Sequence, residues 1–324
     1  MDQNVESKFL QEDIENSQNN TSYYIKKSKK HRYEVKKWST KHRFFYRFMN
    51  PFMTKIIPKF FRFECFGSEN LNQFPENTPI IFAGNHRSHL DGLAGFTTVF
   101  PPFGLRRYLT TITPSTVLKE NYLFKMMRYL GGYPIDRTRP EISLDYLYET
   151  LNLGLAVGIF PQGGRIARTP IEDYQKMSEE GRSGVGRLIL RMKSKVPVIP
   201  LYIHGTAEAL SRGNVIPKIG SYISVTCGKP IYFNEYLNQE WDTNSQDFYD
   251  TARIITDKIM KSIQGLCYET EKGLFNILEK KFNIRIEDIK LTENQSKKLR
   301  RWLRRFSHHA PYEYASYYVK KKTK

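Results

Sequence analysis

Apolar residues in the middle of the chain fall into short runs separated by longer amphipathic stretches. PIIFAGN (79–85), GLAVGIFPQGG (154–164) and VPVIPLYIHG (196–205) are near-continuous apolar runs ending in polar or glycine-rich loops. That is the pattern of strands buried on both faces. ISVTCGKPI (223–231) reads as a further strand. Between them, SLDYLYETLNLG and GVGRLILRMKSK carry apolar residues at helical spacing, and residues 247–264 and 284–306 do so again. Alternating strands and helices predict an α/β domain whose functional residues gather on loops beyond the strand ends. The prolines of the third run predict an edge strand or a pocket wall.

The flanks have a different pattern. Residues 1–25 are polar and predict a disordered tail. From Lys36 to Phe52, a helical phase of ~100° per residue puts Trp38, Phe45, Phe48, Met49 and Phe52 on one stripe, with Lys36, Arg43 and Arg47 roughly opposite. A second aromatic and basic stretch, KIIPKFFRF, follows. Near the other end, Leu299, Trp302, Leu303 and Phe306 share a ~100° arc while Lys297, Arg301 and Arg304 point away. Both stretches suit helices lying in a membrane interface, or helices packed on their own domain.

Charge sharpens this division. The 324-residue chain carries +18 overall, but residues 64–296 are almost neutral, with 27 Lys and Arg against 26 acids. Residues 26–63 hold thirteen Lys and Arg against one Glu, and residues 297–324 hold ten against one. Such segments attract polyanions, either anionic lipid or nucleic acid. No zinc-finger spacing and no RNA-binding aromatic signature accompanies them. Cys65, Cys227 and Cys267 form no CxxC pair, which argues against a disulfide framework or a zinc site. No apolar stretch reaches the ~20 residues of a transmembrane helix, and the N-terminus lacks the pattern of an export signal.

Three polar motifs sit at the strand ends, beside the proline-bearing run VPVIPLYIHG (196–205). NHRSHLDG (85–92) offers His86 and Asp91, five residues apart. On one continuous helix they would lie ~140° apart, whereas a turn entering a helix, with Ser88 as its cap, would fold Asp91 back onto the imidazole. The carboxylate would then set the tautomer and leave the other ring nitrogen to take a proton. His89 competes for that role. GGYPIDR (131–137) ends in Arg137, and FPQGGR (160–165) combines two glycines with Arg165, a planar anion fork. Taken singly, each also fits an ordinary polar loop.

In this order and spacing they resemble the four sequence blocks of the glycerolipid acyltransferases, the family that includes 1-acylglycerol-3-phosphate acyltransferase. The blocks are His86-RSHL-Asp91, GGYPIDR, FPQGGR and the apolar strand from Pro197 to Pro200, with FGSENL as the usual lead-in. Gln162 stands where the family commonly has Glu, Gly164 where it has Thr, and Pro134 where an aromatic or aliphatic is usual.

The resemblance implies an α/β fold with a mixed sheet flanked by helices, joined to N-terminal amphipathic helices and a basic C-terminal helical extension. The expected divisions are a tail (1–25), membrane-interface helices (26–63), a catalytic domain (64–264) and the extension (265–324). It implies His86 and Asp91 as catalytic residues, and Arg137, Gln162, Gly163, Gly164 and Arg165 as substrate-binding residues, with no metal and no resident cofactor. The implied reaction moves an acyl group from a thioester, acyl-CoA or acyl carrier protein, to a lysophospholipid. 1-Acylglycerol 3-phosphate leads, ahead of glycerol 3-phosphate and other lyso-lipids. A basic lipid- or nucleic-acid-binding protein without catalysis is the competing class. The implied partner is an anionic membrane surface, met from the cytoplasmic face as a peripheral or monotopic protein.

Overall fold

The computed structural model describes Phe48 and residues 57–75, 77–95, 109–114, 132–135, 140–166, 168–214, 216–237 and 239–306. The tail 1–25 and, Phe48 apart, the predicted helix at 36–52 lie outside these. The described chain opens with α1 (Ile57–Phe60), β1 (Arg62–Phe66), β2 (Ile80–Gly84) and a helix α2 over residues 90–95. Next come β3 (Leu109–Pro114), β4 (Gly132–Ile135), α3 (Pro140–Asn152) and β5 (Ala156–Ile159). α4 (Pro170–Lys176), α5 (Gly184–Arg191), β6 (Val198–His204) and α6 (Thr206–Ala209) follow. The last elements are β7 (Tyr222–Cys227), α7 (Gln246–Phe282) and α8 (Glu293–Arg305).

Among the described residues, seven strands form one mixed sheet in the order β1-β7-β6-β2-β5-β3-β4. Every neighbouring pair is parallel except β6 and β7. β2 and β6 are buried along their whole length, as their unbroken apolar runs require. Their side chains alternate between two cores. Ile81 and Ala83 join Val198 and Tyr202 against α5, α7 and α8, while Ile80 and Phe82 join Leu201 and Ile203 on the opposite face.

β6 is not the edge strand its prolines predict: it lies between β2 and β7. The missing Pro200 N–H is accommodated at a bulge. Val198 bridges Ile231 and Leu201 pairs with Cys227, so three steps on one strand match four on the other. β1 corrects a second expectation. Arg62 and Phe63 belong to a sheet strand, in register with Tyr222 and Ile223, so these two residues are part of the sheet and not of the helical stretch expected over 26–63. β3 was not legible as a strand, because LTTITP mixes polar and apolar residues without clean alternation.

The C-terminal third corrects a third. α7 runs unbroken through the expected boundary at 264/265, and Cys267, Leu274, Phe275 and Leu278 lie in the main core. Gly186 of α5 lets α7 approach closely: a Cβ there would stand 1.9 Å from the Ala252 carbonyl oxygen. Two thirds of the way along α7, Glu271 makes a short contact with His204 Nδ1 and accepts the Tyr202 hydroxyl at 3.2 Å, all buried. Burial alone would lower the His204 pKa, but the Glu271 carboxylate outweighs it and raises it. Residues 284–292 are not helical as predicted. A 3-10 turn over Ile286–Asp288 is pinned by Gln175 Nε2, which donates to the Ile286, Ile289 and Glu287 carbonyls at 2.8, 3.0 and 3.2 Å.

α8 has the predicted phase and a different environment. Thr292 and Gln295 form its capping box, and Leu299, Leu303 and Phe306 are buried, with Trp302 partly so. This apolar stripe packs on the domain instead of facing a membrane. Lys297, Arg301 and Arg304 of the cationic face are exposed to solvent. No helix of the described residues is long and apolar enough to cross a membrane.

α8 therefore contributes to global stability. Leu303→Ala should cost about 2–5 kcal/mol in urea unfolding, as for other buried leucines. A loss below about 0.5 kcal/mol would mean that α8 docks only loosely.

Candidate active site

Because β2, β5 and β6 run parallel in the centre of the sheet, their C-terminal ends open on one edge, and three loops meet there. The loop after β2 begins on a side-chain rung. Asn85 Nδ2 donates to the Ile203 carbonyl at 3.0 Å, and Oδ1 accepts the Ile203 N–H at 2.6 Å. His86 follows. Its backbone N–H donates to Gln162 Oε1 at 2.8 Å, and its carbonyl accepts from Ile166 N at 2.8 Å. The ring stacks on Phe160 with centroids 4.2 Å apart.

The chain then turns, so that Asp91 in α2 folds back onto the imidazole. Asp91 Oδ2 lies 2.8 Å from His86 Nδ1 and accepts the N–H groups of Arg87 and Ser88 at 2.6 and 2.7 Å. Thr206, from α6, donates its hydroxyl to Oδ1. Ser88 Oγ accepts from Leu90 N at 3.3 Å and donates to the Leu210 carbonyl at 2.9 Å, tying the turn to the loop after β6. Asp91 is wholly buried, and the His86 side chain keeps about a fifth of its surface, 20%. An acceptor carboxylate at Nδ1 puts the proton there and leaves Nε2 as the base.

His89 does not share this arrangement. Half-buried, it is held down to about 4 by desolvation and by the Arg165 charge, so it stays neutral at physiological pH.

Gln162 is engaged at both ends of its amide. It is 5% exposed, its oxygen is taken by His86 N, and its Nε2 donates to Glu180 Oε2 at 3.3 Å. Its amide holds the His86 backbone at one end and Glu180 at the other. Gly163 adopts φ 70°, and its N–H closes a turn on the Phe160 carbonyl at 2.9 Å, so that amide is not available to an oxyanion. A Cβ on Gly164 would meet nothing within 4 Å. Arg137 lies outside the described residues.

Behind the loops runs a buried chain of charges that no sequence motif announced. Arg87 Nη2 donates to the Arg168 carbonyl at 2.7 Å and lies 3.1 Å from Glu208, while Nε is 3.2 Å from Asp173 Oδ2. Arg168 reaches Asp173 Oδ1 at 3.4 Å and forks onto Glu180, which holds Gln162. Burial pushes the Asp173 carboxyl up to about 7 against the pull of Arg87 and Arg168. Burial alone would lower the Arg87 pKa, but Glu208 and Asp173 together raise it. Beside this layer, a mostly apolar pocket opens against Asp91, walled by Phe82, Leu109, Phe160, Leu201 and Ile203 and left open by Gly84 and Gly158.

Comparison with known proteins gives the arrangement a context. Residues 62–204 match the family model described as Acyltransferase. The chain is 26% identical over 182 residues to the chloroplastic 1-acyl-sn-glycerol-3-phosphate acyltransferase BAT2 of Brassica napus. That match covers 54% of this chain and 47%, about half, of the relative. The crystal structure of the 1-acyl-sn-glycerophosphate (LPA) acyltransferase PlsC of Thermotoga maritima superposes with a TM-score of 0.39 at 17% identity, covering 72% of this chain and 81% of that one.

Two predictions follow from the geometry. Gln162→Glu keeps an acceptor for the His86 N–H but loses the donor to Glu180 and sets a carboxylate against it, and should cost about 1–3 kcal/mol in thermal or urea unfolding. Glu180→Gln added to it should recover part of that loss, whereas Gly164→Thr should stay within about 0.5 kcal/mol. Full stability of Gln162→Glu would remove the positioning role. For His89, the unfolded chain takes up a proton near 6.5 and the folded chain only near 4. Stability should therefore fall as pH drops through that window, and His89→Gln should flatten the slope in stepwise unfolding.

Proposed function

We propose that this chain, whose residues 62–204 match the Acyltransferase family model, transfers a fatty acyl group from a thioester donor to the free hydroxyl of a lysophospholipid, 1-acylglycerol 3-phosphate first among them. The observation that carries this reading is the His86–Asp91 contact, which leaves His86 Nε2 as a base on the partly exposed side of the ring.

In this mechanism the acceptor hydroxyl gives its proton to His86 Nε2 as its oxygen attacks the thioester carbonyl. Asp91, on Nδ1, stabilises the imidazolium that forms. The tetrahedral intermediate collapses with loss of the thiolate, which takes the proton back from His86. One ester bond forms, one thioester bond breaks, and the histidine is regenerated without an acyl-enzyme. Arg165, which follows two small residues and is half-buried, supplies a fork for the acceptor phosphate, and Arg137 is its expected companion. The departure at Gln162 bears on how His86 is held, while Gly164 leaves space next to Arg165. These observations support a phosphate-bearing lyso-lipid over an acceptor without phosphate.

The test incubates purified protein with acyl-CoA or acyl carrier protein and a panel of lyso-lipids and glycerol 3-phosphate, with products read by mass spectrometry. 1-Acylglycerol 3-phosphate should turn over fastest. His86→Ala should lose roughly 10²–10⁴-fold, Asp91→Asn less, and His89→Ala least. Arg165→Ala should raise the acceptor KM well above any change in the donor KM, with Arg165→Lys a partial rescue. Retained activity in His86→Ala would sink the assignment of the base. Equal turnover of phosphate-free lyso-lipids would sink the acceptor.

A further inference from the structure

The strand directions bring more than the catalytic loops to this edge. β7 runs antiparallel to β6 and pairs Ser224 with His204, so β7 starts where β6 ends. β1 runs parallel to β7, with Arg62 beside Tyr222, and so it also starts at this edge. The connection from Leu210 to Ser221 lies there, between α6, which holds Asp91, and β7. It is stitched to α1 by the Gly220 N–H on the Phe60 carbonyl at 2.7 Å, and by the Arg62 N–H on the Ser221 carbonyl at 3.0 Å. Lys218 Nζ donates to the Arg304 and Arg305 carbonyls at 3.1 and 3.3 Å, which brings the end of α8 to the same place.

Three segments distant in sequence thus converge, and their composition is one-sided. Residues 57–62, 210–221 and 297–306 contain no Asp or Glu and ten Lys or Arg. Among the exposed residues here are Lys59, Arg212, Lys218, Arg301 and Arg304. Large apolar side chains stand out among these cations: Ile216 is 83% exposed, Ile219 65% and Phe60 44%. The two strongly basic flanks of the chain also join the described structure here, one entering at Ile57 and the other leaving at Phe306.

We propose that this edge docks on an anionic lipid bilayer, with Ile216, Ile219 and Phe60 dipping among the acyl chains and the surrounding cations resting on the headgroups. Apolar tips within a ring of cations match a membrane surface, whose outer layer is anionic and whose interior is apolar. A nucleic acid would engage the cations and leave two bare isoleucines in water. The docking surface therefore comes from a loop and two chain ends, not from the buried stripe of α8. It deepens the acyl-transfer reading and rests on it for its purpose, since a membrane-resident acceptor would meet His86 at the edge that touches the bilayer.

Flotation of the full-length chain with phosphatidylcholine vesicles, with and without phosphatidylglycerol, tests the face directly. Binding should rise with phosphatidylglycerol and fall with salt. Ile216→Asp with Ile219→Asp should weaken it tenfold or more, and Arg212→Glu with Arg304→Glu should weaken it roughly fivefold per cation. Ile254→Asp, an exposed isoleucine of α7, serves as the control and should float like wild type. Thermal unfolding confirms that each variant is folded. Undiminished flotation of the isoleucine pair overturns the proposal, as does tighter binding to a single-stranded oligonucleotide than to the anionic vesicles. Flotation without turnover on any lyso-lipid leaves this face standing and removes the acyl-transfer reading. Turnover on a short-chain soluble acceptor without flotation does the reverse.

Discussion

A single buried carboxylate organises the candidate active site. Asp91 lies without solvent contact between the loop it caps and the imidazole it orients, and it accepts from His86, Arg87, Ser88 and Thr206. A charge so placed is stable only when its lone pairs are filled, and here each donor belongs to an element that must be in position first. Two are backbone groups of the turn after β2, one is the His86 ring, and one is the first residue of α6 after β6. The geometry of the base is thus a consequence of satisfying one acid.

The ionic chain behind the site extends the same constraint. Glu208, Arg87, Asp173, Arg168, Glu180 and Gln162 link α6, the loop after β2, α4 and the loop after β5, and the series ends on the backbone N–H of His86. Removing one partner of a buried pair leaves the other charge uncompensated, typically at about 3–5 kcal/mol. Such a chain resists piecemeal change and fixes the relative placement of three loops. This gives Gln162 its meaning. An amide can accept from a backbone N–H at one end and donate to a carboxylate at the other, which a carboxylate at the same position cannot do.

The surface follows a related logic at lower cost. Two exposed isoleucines, Ile216 and Ile219, lie with the acid-free basic segments at the edge where the candidate site's loops open, while the α8 stripe is spent on the core. An amphipathic helix in sequence has two ways to hide its apolar face. Here the domain offered an apolar surface in the main core, so packing won over a lipid partner.

Much of the site was legible in the sequence because it is local. The apolar runs of β2, β5 and β6 follow from burial on both faces, and their loops had to end beside one another once those strands were parallel. His86 and Asp91 are close in the chain, and a turn alone brings them together, so order and spacing pointed to them. The domain boundaries were not legible. α7 crosses the expected one because its apolar face matches the core on both sides of residue 265, and no change of composition marks the place. Nor was Thr206, Glu180 or Glu208, each of which is distant in sequence from its partner and ordinary in its own neighbourhood. Periodicity specified that α8 had an apolar face but not what would cover it, since the same stripe satisfies a bilayer or a protein core. Local spacing carries short-range contacts and alternation, whereas the pairing of buried charges and the choice of partner for an apolar face depend on which elements the folded sheet brings together.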